Sequence, residues 1–164
     1  MNKELLIRAR EMLEEVTPLR TDCGEKCGGA CCKSDSASEE GMLLFPGEEE
    51  LYGDCGFAAV RAGVFHGLEE TKILVCNGIC ERGARPLCCR LFPLAPRKLG
   101  YGYSVQVDPR AYNMCPIARR GLRGMTGEFR NTCMDVFNLL AGDADYRRVL
   151  DAWAELMEEY KNIF

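Results

Sequence analysis

The chain has 164 residues and a formal net charge of −4, with 47% hydrophobic and 28% charged residues. That length suits one domain with a core of its own. No run of eighteen apolar residues suggests a membrane span, and the acidic balance argues against a general nucleic-acid binder.

Residues 2–16 predict an amphipathic helix, because Leu5, Leu6, Ala9, Met12, Leu13 and Val16 recur at helical spacing before Pro18. Arg8, Arg10 and Glu11 break this apolar run and no small-residue cleavage site follows, so it is not read as a signal peptide and a cytoplasmic location is expected. Residues 20–40, rich in Gly, Ser and Cys, read as a loop. A short strand is expected at 41–45, a short helix at 46–53 and a second strand at 72–76. In that short helix Glu48, Glu49 and Glu50 form an acidic first turn. Residues 77–98, with Pro86, Pro93 and Pro96, read as irregular. Alternation over 100–108 places Tyr101, Tyr103, Val105 and Val107 on one face of a strand, with both tyrosines expected in the sheet core. A short helix is expected to start at Pro116. Two stripes close the chain: Phe129, Cys133, Val136, Phe137 and Leu140, then Val149, Leu150, Trp153, Leu156, Met157 and Tyr160 beyond a break at Gly142-Asp143. The expected fold class is α+β, mostly helical. It is a single cysteine-cluster domain over 1–164, with helices at both termini around an irregular cysteine-rich metal-binding core (23–116) and a small antiparallel sheet. The C-terminal part, 128–164, is helical.

Eleven cysteines are the compositional outlier. In a cytosolic chain such density points to metal binding or catalysis before disulfides. An odd count would also leave one thiol over. The first cluster, CGEKCGGACC, holds Cys23, Cys27, Cys31 and Cys32, and the second holds Cys76, Cys80, Cys88 and Cys89. Cys115 precedes Pro116, where a helix N-terminus would favour a thiolate. Gly24, Gly28 and Gly29 permit the positive φ that lets a short loop fold its thiols inward, and Gly78 offers the same in the second cluster. The candidate metal ligands are Cys23, Cys27, Cys31, Cys32, Cys76, Cys80, Cys89 and Cys115. The candidate cofactors are an iron–sulfur cluster of the 4Fe–4S type, or Zn. Neither the zinc-knuckle nor the ferredoxin spacing is present, and one member of each vicinal pair is expected to turn into the core. Cys133 and Cys55 read as packing residues. His66, the only histidine, sits in no cysteine cluster.

Charge is unevenly spread. Residues 82–130 hold ten basic and two acidic residues, a net of +8, whereas residues 1–81 carry a net of −8. Arg82, Arg85 and Arg90 flank the second cluster, and Arg85 and Arg90 are the candidates to balance an anionic metal–thiolate centre. The basic middle reads equally as a solvated face, or as a docking patch for an acidic protein partner or an anionic ligand.

A glycine-rich cysteine knot, then cysteines before R-P-x-x-C-R-x-F-P, then a later lone cysteine resembles the YkgJ-type cysteine-cluster family. The residues carrying the likeness are Cys27, Cys31, Cys32, Cys76, Cys80, Arg85-Pro86, Cys89 through Pro93, and Cys115. The resemblance implies a zinc- or iron-chelating domain, often labelled an iron–sulfur protein. The family also includes flagellin lysine N-methylases, which resemble this chain only through the cysteine domain. The chain departs from the family's first motif: Cys27 and Cys31 stand three residues apart, with Cys23 before them. The readings carried forward are a metal-binding protein with an iron–sulfur centre or zinc, a redox or lysine-methylase-type enzyme using that centre, and a zinc-stabilised protein-interaction module.

Overall fold

A computed structural model describes residues 1–32, 41–53, 55–78 and 80–163. The last part of the predicted loop over 20–40, from residue 33 on, and the final residue of the predicted C-terminal helix lie outside them. Helix α1 runs Lys3–Met12, capped by the Asn2 side chain, which accepts from the Glu4 N–H at 3.1 Å. It stops four residues short of the predicted end, where arginines bond to carbonyls in its last turn and just past it. Arg90 Nη1 donates to the Arg10 carbonyl and Arg82 Nε to the Glu14 carbonyl. The N–H groups of Leu13 and Glu14 close only three-residue turns. Leu13 remains buried all the same.

A three-stranded antiparallel sheet follows, in the order β1-β3-β2, from β1 (Met42–Leu44), β2 (Ala58–Phe65) and β3 (Leu68–Cys76). The pattern had not revealed β2, and β3 is longer than the predicted 72–76. The two form a hairpin whose turn, His66-Gly67, has both residues at positive φ, as a tight two-residue connection requires. The predicted acidic short helix at 46–53 is a 3-10 turn over Glu48–Tyr52.

The segment 77–98 is more regular than its prolines suggested. It holds a 3-10 turn at Arg82–Ala84, a one-turn helix α3 (Leu87–Leu91) and strand β4 (Leu94–Lys98). Strand β4 pairs antiparallel with β5 (Tyr103–Val107) as a separate two-stranded sheet. Pro96 is tolerated because it lies opposite Val105, where no ladder hydrogen bond is made. Tyr103 is buried as expected, but Tyr101 is 91% exposed, because it sits in the 99–102 turn and not in the strand.

Helices α4 (Gly127–Leu140) and α5 (Ala144–Ile163) supply ten of the 26 described buried residues of the main core, more than any other two elements. Their predicted stripes face the core, fully buried except for the half-buried Leu156 and Tyr160, and Phe137 and Trp153 meet edge to face at 6.1 Å. Burying each such large side chain contributes about 1.5–3 kcal/mol. The predicted break falls at Ala141–Asp143, where the Asp143 carboxylate caps α5 by accepting from the N–H groups of Asp145 and Tyr146. The architecture is α+β, with helices near both termini and small antiparallel sheets between them. Among the described residues, no helix is long and apolar enough to cross a membrane.

Candidate metal centre

The first cysteine segment is not a plain loop. Cys23–Cys27 is a single helical turn, α2, capped by the Asp22 carboxylate, which accepts from the Gly24 N–H at 3.0 Å. Gly24 is helical, and Gly28 and Gly29 supply the positive φ, at 62° and 67°, that ends the turn and swings the chain into a 3-10 turn at Ala30–Cys32. Cys23 and Cys27 are thereby placed one turn apart, on the same side of α2.

The two cysteine segments touch. Gly78 lies between Cys76 and Cys80 with φ +83°, and a Cβ there would fall 2.6 Å from the Cys32 carbonyl oxygen. Only glycine allows that approach. Around this contact the thiols are electrostatic neighbours: Cys89 with Cys32, Cys76 and Cys80, Cys31 with Cys23 and Cys89, and Cys23 with Cys27 and Cys115. These pairwise influences link all eight candidate ligands, directly or through one another. All eleven cysteines are free thiols. Among the described residues, no three His, Cys, Asp or Glu side chains are gathered closely enough to hold a metal ion as they stand.

The vicinal pairs behave differently. On α3, Cys88 turns into the core with Leu87 and Leu91, while Cys89 faces the other thiols, because consecutive helical positions diverge by about 100°. Cys31 and Cys32 instead act on each other. Their mutual interaction raises the Cys31 thiol and lowers Cys32 to about 6, with Arg85 adding to the second effect. Burial pushes Cys23, Cys80 and Cys89 up, reinforced by neighbouring Asp22 or thiols. Cys115 is buried, but the helix expected at Pro116 does not start there. The next turn is a 3-10 segment from Ala118, and the Cys115 N–H closes the preceding turn onto the Ala111 carbonyl at 2.7 Å. Cys115 therefore does not sit at the N-terminus of a helix.

The three arginines divide their work. Arg85 reaches the thiols: burial opposes its charge, but Asp22, Cys80 and Cys32 outweigh that. Its Nε is buried with no hydrogen-bond partner among the described residues. Arg90 does not face the thiols. Its guanidinium donates to the carbonyls of Arg85, Arg10, Arg82 and Gly83 and to Glu14, which commits all five of its N–H groups. Arg82 pins the same turn to the end of α1. In the stretch from Arg85 to Arg90, the second arginine thus clamps the loop that aims the first.

Two positioning residues escaped the sequence reading. Glu48 is fully buried (0% exposed) and accepts from Arg10 Nη1 at 2.5 Å, from the Leu87 N–H at 2.7 Å and from the Phe45 N–H at 3.2 Å. It fixes the start of α3, and hence Cys89. Nothing in the run Glu48-Glu49-Glu50 distinguishes it. Asp22 carries a faint signal as a capping residue directly before Cys23, and it also lies 3.9 Å from Arg85. The remaining cysteines lie apart. Cys133 is fully buried on α4, and Cys55 points its thiol at the Ala58 carbonyl. His66 is bracketed by Glu155 and Glu159 of α5. No family model, curated protein or solved structure matches the chain.

Proposed function

We propose that this is a cytoplasmic metal-binding protein of the YkgJ-type cysteine-cluster class, holding an iron–sulfur centre or zinc between its two cysteine segments. The observation that carries the reading is the close approach of Gly78 to the Cys32 carbonyl, which puts the two cysteine segments in contact. The chemistry of the donors fits the group: eight thiols and no histidine form a soft, anionic set. The orphaned Arg85 Nε is a buried donor that an anionic cluster would satisfy. Cys27, Cys31, Cys76, Cys80, Cys89 and Cys115 are the first candidates to hold the metal, with Cys23 and Cys32 beside them. Bound there, an iron–sulfur centre would supply electron transfer, and zinc a structural cross-link. The excess of thiols over a single four-ligand site favours iron–sulfur.

Purification without oxygen, followed by iron, acid-labile sulfide and zinc analysis, tests the reading. Iron and sulfide in equal amounts support the cluster, and one stoichiometric zinc in a colourless protein replaces it with the zinc form. Protein free of all three, even after reconstitution with iron and sulfide or with zinc, overturns the proposal. Cys89→Ser is expected to lose metal, whereas Cys133→Ala keeps it.

A further inference from the structure

The two-stranded sheet has one edge that the chain leaves unfinished. Ser104 and Gln106 face β4, opposite Arg97 and Ala95, and the Asp108 N–H continues this side by donating to the Pro93 carbonyl at 2.9 Å. In an antiparallel ladder, alternate residues turn their N–H and C=O groups to opposite edges, so those of Tyr103, Val105 and Val107 point away from β4. At Tyr103 that outer edge is already occupied. The Asn138 amide accepts from the Tyr103 N–H at 2.9 Å and donates to its carbonyl at 2.8 Å, as a neighbouring strand would. At Val105 and Val107 no described residue takes the outward groups.

A groove of about 750 Å³ lies against these residues, with Leu122 of the 118–124 turn and Tyr160 of α5 among its other walls. Arg97 and Lys161 also line it, and no acidic residue does. Arg97 has no ion-pair partner among the described residues. Leu122 stands between Arg120 and Arg123, both exposed and likewise unpaired. The molecule's other long edge, β2, is broken by a register shift between Gly63 and Phe65, the kind of irregularity that blunts an edge. The edge of β5 has no such shift in its register.

We propose that an extended, acidic segment of a partner protein adds to β5 as a third strand, seated in this groove. Main-chain hydrogen bonds to Val105 and Val107 would give it direction. Alternate apolar side chains would rest on Leu122 and Tyr160, and its carboxylates would meet Arg97, the groove's other cation, Lys161, being already paired with Glu158. The site is independent of the thiol cluster.

The probe is a fluorescent seven-residue peptide of alternating Glu and Val with blocked ends, titrated against the full chain. Saturable binding is expected, weakening severalfold as salt rises from about 50 to about 300 mM. Amide exchange at Val105 and Val107 is expected to slow by about tenfold or more, while Ser104 and Gln106, already paired, stay unchanged. Val105→Pro removes an N–H that no described residue uses and is expected to weaken binding about tenfold. If that variant fails to fold, Arg97→Glu on the surface is expected to weaken binding similarly. The proposal is overturned by absent binding, by equal binding of a Lys–Val peptide or of one with N-methylated amides, or by protection elsewhere. It is also overturned if Val105 and Val107 are protected without peptide in a dimer, which would make a second copy the occupant.

Discussion

The helical pack and the cysteine face of this molecule are built on opposite plans. Helices α4 and α5 run fourteen and twenty residues and hold together by side chains from which water is excluded. The cysteine face is made of turns no longer than five residues, α2, α3 and the 3-10 turns at 30–32 and 82–84. Such short turns are not stable by themselves. Here they are pinned by charged side chains reaching main-chain groups: Arg82 and Arg90 onto carbonyls, and Glu48 onto N–H groups. Substitution should therefore damage the two regions by different routes, and only one region should respond to metal.

The largest effect is expected in the helical pack. Phe137→Ala removes a fully buried ring that meets Trp153 and should cost about 3–5 kcal/mol. Chemical denaturation with and without a chelator should give the same loss, and a loss that depends on chelator would erase the division between the regions. Glu48→Leu comes next. It strands the Arg10 guanidinium and the Leu87 N–H in a buried setting, at a cost of about 3 kcal/mol. Because α3 carries Cys89, metal content should fall as well, read by elemental analysis of the purified variant. Full metal content in Glu48→Leu would show that α3 is held by other means.

Gly78→Ala separates fold from site more sharply. The added methyl meets the Cys32 carbonyl, and the positive φ costs about 1–2 kcal/mol by itself. The helical pack lies elsewhere, so far-UV circular dichroism should be nearly unchanged while metal binding weakens. Retention of metal at wild-type affinity would mean that the contact between the segments does not build the site.

These contrasts also account for what the sequence could reveal. The stripes of α4 and α5 were legible because a long helix repeats its apolar positions, and the break at Gly142-Asp143 was legible from turn chemistry. Strand β2 was not, since Ala58 to Phe65 has no fully buried residue and shows no alternation of apolar and polar residues. Strand β4 was hidden by Pro96, whose tolerance depends on a register known only once the strands pair. Among the site residues, the cysteines could be read as a set because their spacing is local. The division of labour between Arg85 and Arg90 could not, because it depends on which carbonyls the fold brings within reach. The burial of Glu48 alone in a run of three glutamates is a tertiary fact of the same kind.

The smallest expected effect tests whether the clamps on the cysteine face act through charge or through geometry. Glu14 meets Arg90 Nη1 at 2.5 Å, and this bond, with the charge of Arg90, holds its carboxyl below the ordinary 4.5. A lowered folded-state value means that the pair contributes stability above the ordinary value and loses it as pH falls through the lowered one. The Glu14 side chain is half exposed, so solvent screens the pair and its contribution should stay under about 1 kcal/mol. The difference in unfolding free energy between the wild type and Glu14→Gln should be constant from pH 7 to pH 5, and should vanish in more acidic solution. A difference that persists at pH 3 would assign the effect to packing. Either way Arg90 keeps its four carbonyl acceptors, so the turn that aims Arg85 should stand without the charge pair, and metal content in Glu14→Gln should match the wild type.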